Sequence, residues 1–285
     1  MGLGKLAARN LREEGLSGTV GKVVSEPGEV VYASEAFRIA VRLYSRARPI
    51  RSRGIVVDAS DELVRGEVHK LAMNRYEHEI ADFVERYVPP TLDVVELGGG
   101  IGFVACVVDR RIAGDQLVVE PNPAILPTLK RTRELNDASF EIVERAYEPD
   151  GTDVELAIGE QFIKASTARH RRDGAARVRS AGTVVGVSLG ELRDAYDLEE
   201  FVLIVDVEGA EVDLVDAELD LVRESCPYLV VEYHHFDDVE RDVREARETL
   251  EETELVALDS RANDKTEKVI YRNPRLAGER RPGSR

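Results

Sequence analysis

Apolar residues recur at helical spacing over residues 76–87, where Tyr76, Ile80, Phe83, Val84 and Tyr87 share one face. Pro89-Pro90 ends the pattern, because proline cannot continue the helical ladder. Beyond it, short runs of Val, Ile and Leu alternate with amphipathic stretches. The runs 92–97, 116–120, 140–143, 154–158, 184–187, 201–207, 228–233 and 254–258 predict strands. Helices are predicted over 101–110, 123–135, 188–196, 209–223 and 238–251. In the last of these Val239, Val243, Ala246 and Leu250 repeat at helical spacing. Unbroken apolar runs mark strands buried on both faces, as parallel strands are. Alternating strand and helix therefore predicts an α/β fold built on a doubly wound, mostly parallel sheet.

Flanking regions carry weaker signals. Leu3, Leu6, Ala7 and Leu11 form a helical stripe, while Val30–Tyr32 and the alternating Phe37, Ile39, Val41, Leu43 predict strands. Residues 1–66 are expected as an accessory region before a main domain at 67–272. Segment 159–181 is polar and basic, with Lys164, Arg169, His170, Arg171, Arg172, Arg177 and Arg179. It is expected as a surface excursion, suited to a lid or an acceptor-binding loop. Residues 273–285, with Pro274, Pro282 and four Arg, are expected as a disordered tail. No internal repeat is evident.

Composition narrows the classes of partner. Apolar residues make up 43% and charged residues 33%, which fits a folded, soluble chain. A net charge of −16 argues against non-specific attraction to nucleic acid or an anionic membrane. The expected partner is a small-molecule or glycan acceptor, with no nucleic acid and no membrane insertion. Only seven of the 39 basic residues are Lys, and so acid-rich a chain suits a salt-rich cytoplasm that screens self-repulsion. The two cysteines, Cys106 and Cys226, are isolated in or beside apolar runs. They make neither a disulfide framework nor a zinc pattern, which points to a reduced, cytoplasmic setting. No apolar stretch of ~18 residues is present, and Met1 to Gly15 has no signal-peptide core.

The candidate chemistry begins at Val94-Val95-Glu96-Leu97-Gly98-Gly99-Gly100-Ile101-Gly102. The segment follows a predicted strand and opens a predicted helix, the place where open α/β sheets bind ligands. A dinucleotide fingerprint, G-x-G-x-x-G, fails because its third glycine would fall at Phe103. The phosphate-loop pattern fails too, since no Gly-Lys-Ser/Thr follows. What stands there is Glu96-x-Gly98-x-Gly100-x-Gly102. Glu120 closes the next strand, eighteen residues after Gly102, where a carboxylate can accept hydrogen bonds from both hydroxyls of a ribose. Asn122 is placed to cap the following helix, with Pro123 at its first position.

These residues resemble the loop of Rossmann-like class I methyltransferases, and more narrowly the FkbM-type methyltransferases, from about Tyr76 to Tyr233. The resemblance is carried by Tyr76-Glu77, by Glu96 to Gly102, by Glu120-Pro121-Asn122-Pro123 with Asn136, and by Asp206-Val207-Glu208-Gly209-Ala210-Glu211 with Val231-Glu232-Tyr233-His234. It implies S-adenosylmethionine as cofactor and O-methylation, chiefly of hydroxyls on sugars and natural products. Cofactor contacts are then expected from Glu77, Glu96, Gly98, Gly99, Gly100, Gly102, Glu120, Pro121 and Asn122. A cationic cofactor without a pyrophosphate fits an acid ahead of alternating glycines. The chain departs from the family at Gly98-Gly99-Gly100, where small-Ala-Asn is common. It departs again at Ile204, where a Lys is common.

Asp206 is expected at the carboxyl end of its strand, with Gly209 permitting a sharp turn after it. Asp206, Glu208 and His234 are the candidate catalytic residues. A carboxylate or a histidine there can serve as general base for an acceptor hydroxyl. The acids can alternatively hold a divalent cation, or simply form the acidic first turn of a helix. No metal is assigned. N- or C-methylation on the same fold, and an inactive cofactor-binding module in glycan assembly, remain alternatives.

Overall fold

The computed structural model describes residues 40–41, 43–60, 64–158, 165–167, 180–207, 209–234, 243–263 and 266–277. A hairpin of β1 (Ile50–Ser52) and β2 (Ile55–Val57) leads into α1 (Val68–Ala72) and α2 (His78–Tyr87). There follow β3 (Asp93–Leu97), α3 (Phe103–Asp109), β4 (Gln116–Val119), α4 (Leu126–Leu135) and β5 (Glu141–Val143). The next part holds β6 (Ala146–Tyr147), β7 (Val154–Ile158), β8 (Ala165–Thr167), β9 (Ser180–Val184), β10 (Gly186–Val187) and α5 (Leu189–Ala195). The last part holds β11 (Phe201–Val205), α6 (Glu211–Ser225), β12 (Tyr228–His234), α7 (Val243–Glu251), β13 (Val256–Ala262), β14 (Thr266–Arg272) and α8 (Pro274–Ala277).

Seven strands form the central sheet in the order β13-β14-β12-β11-β3-β4-β5. From β12 to β5 neighbours are parallel, whereas β14 runs antiparallel to both β12 and β13. Alternate residues feed two cores, one on each face. Val94, Val118, Val202, Ile204, Val230 and Ile270 pack with Phe83, Phe103 and Leu129. Val95, Val119, Leu203, Val205, Val231 and Tyr271 pack with Leu192, Leu214 and Leu250 on the other face. A doubly wound sheet follows from this alternation within otherwise apolar strands. Chain direction through the sheet reverses between β3 and β11, which leaves a crevice above their carboxyl ends.

Several expectations are corrected. Of the strand expected over Phe37–Leu43, the described residues 40, 41 and 43–45 are helical. Val41 is buried while Leu43 is 58% exposed, so the alternating apolar residues do not share a face. The strand expected at 154–158 forms, but it pairs with β8 and β9 in a separate antiparallel sheet, not in the central one. The expected 184–187 strand is broken at Val185 between β9 and β10. Helix α4 begins at Leu126; Asn122 instead caps a preceding turn, its Oδ1 accepting from the Ala124 N–H at 3.0 Å. The tail expected to be disordered begins as ordered chain. Asn273 is buried, donates from Nδ2 to the Arg223 carbonyl and accepts the Arg275 N–H, which fixes the turn into α8.

The described part of residues 1–66 shares the main core, since Val41, Ile50, Ile55, Val57 and Val64 are buried with Ile80 and Phe103. Asn136 ties it down: its amide donates to the Val56 carbonyl and accepts the Val56 N–H at 2.8 and 2.9 Å. The helical stripe at Leu3–Leu11 and the strand at Val30–Tyr32 lie outside the described residues, as does most of the 159–181 excursion.

Candidate functional site

The turn from β3 to α3 is built by glycine. Gly98, Gly100 and Gly102 have φ of 95°, 49° and 78°, the left-handed region that other residues enter at a cost. The alternate spacing in the sequence is this alternation of backbone state. Each glycine also faces different surroundings. A Cβ on Gly98 would stand 1.9 Å from the Asp206 carbonyl oxygen, whereas one on Gly100 would meet only Tyr76 Oη at 3.9 Å. Gly98 thus lets the ends of β3 and β11 approach closely, and Gly100 leaves its backbone open to a ligand.

Above this turn lies a cavity of about 430 Å³. Glu77, Glu96, Gly98, Gly99, Gly100, Glu120, Asp206 and His234 line it, so eight expected site residues converge there. Gly102, Pro121 and Asn122 do not line it. Gly102 faces α4, where a Cβ would come 2.7 Å from Leu129 Cδ1, and Asn122 is buried beneath the Glu120 turn. Glu208 lies outside the described residues.

Glu120 is held like a clamp. Its Oε2 accepts the Gly100 N–H at 2.7 Å and its Oε1 the Asn122 N–H at 2.8 Å. Burial pushes this carboxyl up to about 7, although the two N–H donors favour its charged form. Glu96 sits deeper, 2% exposed, with only a 3.4 Å contact from Gln116 Nε2. Burial raises it well above the carboxylate range. Glu77 has φ of 43°, unusual for a residue other than glycine, and its Oε2 is buried without a hydrogen-bond partner. Burial, reinforced by the nearby Glu232 charge, lifts Glu77 to about 7. Tyr76 packs edge-on against Phe103 at 5.6 Å while lining the cavity, so it belongs to both core and site.

The opposite wall carries a polar network. His234 Nδ1 lies 2.6 Å from Glu211 Oε1, and Glu211 Oε2 accepts the Gly209 N–H at 2.8 Å. A carboxylate only accepts, so Nδ1 carries the proton and Nε2 is turned toward Asp206 and Glu232, at 3.6 and 3.8 Å. Gly209, with φ of 116°, makes the turn that brings Glu211 back under the histidine. Glu232 pairs with Lys268 Nζ at 2.8 Å, both 7% exposed by side chain. Burial pushes Glu232 up, but Lys268 and His234 outweigh it and hold the carboxyl low.

Glu232 and Lys268 are site residues that sequence reasoning did not single out. Glu232 stood inside a quoted motif without a role. Lys268 lies on β14, whose apolar run Val269-Ile270-Tyr271 is short and preceded by polar residues. Thr266, Asn263, Lys70 and Arg75 also line the cavity.

No family model matches the chain, and no curated protein does. Among solved structures, it is similar to a ribosomal protein L11 methylase from Lactobacillus delbrueckii subsp. bulgaricus. Identity is 12% and the TM-score 0.42, over 70% of this chain and 79% of that chain. It is similar to an rRNA methylase from Streptococcus thermophilus at 11% identity and TM-score 0.44, over 70% and 98%. It is also similar to Aeropyrum pernix fibrillarin, solved with S-adenosyl-L-methionine, at 12% identity and TM-score 0.39, over 68% and 74%. The exclusion of nucleic acid drawn from net charge is withdrawn. A charge summed over the whole chain does not describe the lining of one cavity, where Lys70, Arg75 and Lys268 stand among seven acids. Among the described residues no helix is long and apolar enough to cross a membrane. The five parallel strands, the reversed strand inserted beside them and the crevice at the β3 turn make this a Rossmann-like class I methyltransferase fold.

Proposed function

We propose that this chain is an S-adenosylmethionine-dependent methyltransferase of the FkbM type that methylates a hydroxyl oxygen on a sugar, glycolipid or related small molecule. The observation that carries the reading is the Glu120 clamp beside the open Gly100 turn. Both Glu120 oxygens keep lone pairs after accepting backbone N–H bonds, and two adjacent ribose hydroxyls are the matching donors. Glu77, with a buried unpartnered oxygen, supplies an acceptor for the cofactor's ammonium group. When bound, the cofactor supplies a methyl group already activated by its sulfonium charge.

The chain's own work is positioning and proton handling. Glu211 fixes the tautomer of His234, and His234 presents Nε2 to the cavity. There Nε2 takes the acceptor's hydroxyl proton, and Asp206 stabilises the imidazolium that results. Burial of His234 and Glu211 keeps water from competing for that proton. The acids on this wall accept hydrogen bonds from the acceptor's further hydroxyls, which favours a polyhydroxylated acceptor.

The test combines calorimetry with S-adenosylhomocysteine and methyl incorporation from labelled cofactor into candidate glycans. The reading expects micromolar cofactor-product binding and incorporation that is lost in Asp206→Asn and His234→Gln. Binding without turnover on any hydroxyl acceptor refutes the methyl-transfer assignment. NADH binding in place of S-adenosylhomocysteine refutes the cofactor.

A further inference from the structure

We propose that Asp206, Glu232 and His234 form a binding site for one first-row divalent cation, with Glu211 as the carboxylate that orients the histidine ligand. Each of the three offers a ligand atom, and these atoms lie within 4.8 Å of one another in the cavity wall. The separations from His234 Nε2, 3.6 and 3.8 Å, are too long for hydrogen bonds. The first is the separation of two donors sharing an ion, and the second comes within a small inward shift of it. Metal–ligand bonds of about 2.1 Å at 90–120° separate ligand atoms by on the order of 3.0–3.6 Å.

Two further observations point to a ligand. Glu232 is 5% exposed, and its Oε2 is buried with no hydrogen-bond partner. Lys268 engages Oε1 alone, so the buried Oε2 is left without the partner that a polar atom in such a position ordinarily has. Second, the far nitrogen of His234 is bound by a fully buried carboxylate at 2.6 Å, the support that metal-ligating histidines ordinarily have. Glu211 is not among the three ligands, and its own second oxygen is engaged by the Gly209 N–H. One imidazole and two carboxylates suit Mn²⁺, Fe²⁺ or Zn²⁺ better than Mg²⁺, which prefers an all-oxygen shell. With a cation in place Nε2 is a ligand and no longer takes the acceptor's proton. The cation lowers the pKa of a hydroxyl bound to it, and that proton leaves to solvent. At the acceptor end of the methyl-transfer reading the cation therefore replaces His234 Nε2 as the group that activates the hydroxyl, and cation binding itself does not depend on that reading.

The experiment uses the full chain stripped with a chelator and titrated with Mn²⁺, read by electron paramagnetic resonance. Expected is one saturable site whose pulsed spectrum shows coupling to an imidazole nitrogen. Glu232→Gln and His234→Ala should abolish that site. Glu211→Gln should weaken it by about 10–100-fold while keeping the nitrogen coupling. Lys268→Met should tighten it, because the competing ammonium on Glu232 is removed. If Mn²⁺ binds only weakly and without nitrogen coupling, in a protein whose circular dichroism shows it folded, the site does not exist. S-adenosylhomocysteine titrated into the same samples separates the two readings. Cation binding without nucleoside binding leaves the metal site standing and removes methyl transfer; the reverse result removes the metal site alone.

Discussion

Glu120 concentrates the cofactor argument in one side chain. In the unliganded protein its carboxyl is raised from 4.5 to about 7, chiefly by burial. Ribose hydroxyls donate to the ionised form, so binding below pH 7 must first expel a proton. Affinity for S-adenosylhomocysteine should therefore rise about tenfold per pH unit up to about pH 7 and level off above it. Calorimetry in buffers of different ionisation enthalpy should show proton release near neutrality. Glu120→Gln should weaken binding by about 1–3 kcal/mol at pH 8 and flatten the pH profile. A steep profile that survives the substitution would move the titrating group elsewhere, with Glu77 the next candidate. The same shift has an opposite effect on the unliganded fold. An acid whose folded pKa is raised stabilises the protein below its unfolded value of 4.5, and that contribution is lost as pH rises through about 7. The loss is at most about 3 kcal/mol, and Glu120→Gln should remove it from the pH dependence of thermal unfolding.

At the scale of elements, the β3–α3 turn makes a prediction that distinguishes two glycines of one motif. Gly98 and Gly100 both have positive φ, so an alanine at either costs about 1–2 kcal/mol in backbone strain. Only at Gly98 does the new Cβ meet fixed backbone, the Asp206 carbonyl at 1.9 Å, and the parting of β3 from β11 must follow. Gly98→Ala should lower the melting temperature far more than Gly100→Ala. Gly100→Ala should instead lose cofactor affinity while its melting temperature falls only by the few degrees that the strain common to both glycines accounts for. Equal melting temperatures for the two would mean that the loop relaxes without disturbing the sheet. This turn was legible in the sequence because its parts are adjacent: strand, acid, alternating glycines, helix. Glu120 was legible for a related reason, since one strand–helix unit separates it from the loop. The acceptor wall was only half legible. Asp206 and His234 end apolar strands and could be placed at the sheet's carboxyl edge. Lys268 could not, because the reversal of β14 brings it to Glu232 from 36 residues away. Nothing in a local pattern states that a strand will insert antiparallel between its predecessors. Phe37–Leu43 misled for the converse reason: alternation is visible in a sequence, but which alternate residue meets the core is decided by partners far along the chain.

For the molecule as a whole the question is how 55 acidic and 39 basic residues behave together. Two electrostatic effects oppose each other. Surface ion pairs such as Arg53–Asp82 at 2.8 Å and Arg223–Glu254 at 3.1 Å stabilise the fold a little, each by no more than about 1 kcal/mol. The excess of sixteen negative charges destabilises it through repulsion spread over the whole surface. Salt weakens both, but not equally. The screening length falls from about 10 Å at 0.1 M to about 3 Å at 1 M. Repulsion between charges spaced a screening length apart is removed first, while pairs in contact keep much of their attraction. The melting temperature should therefore rise between 0.05 and 1 M KCl, measured at pH 7.5 by calorimetry. The rise should be smaller at pH 5, where part of the acid excess is protonated and less repulsion is left to screen. A melting temperature that falls steadily with KCl would show that contact pairs dominate and that the acidic surface carries no adaptation to salt.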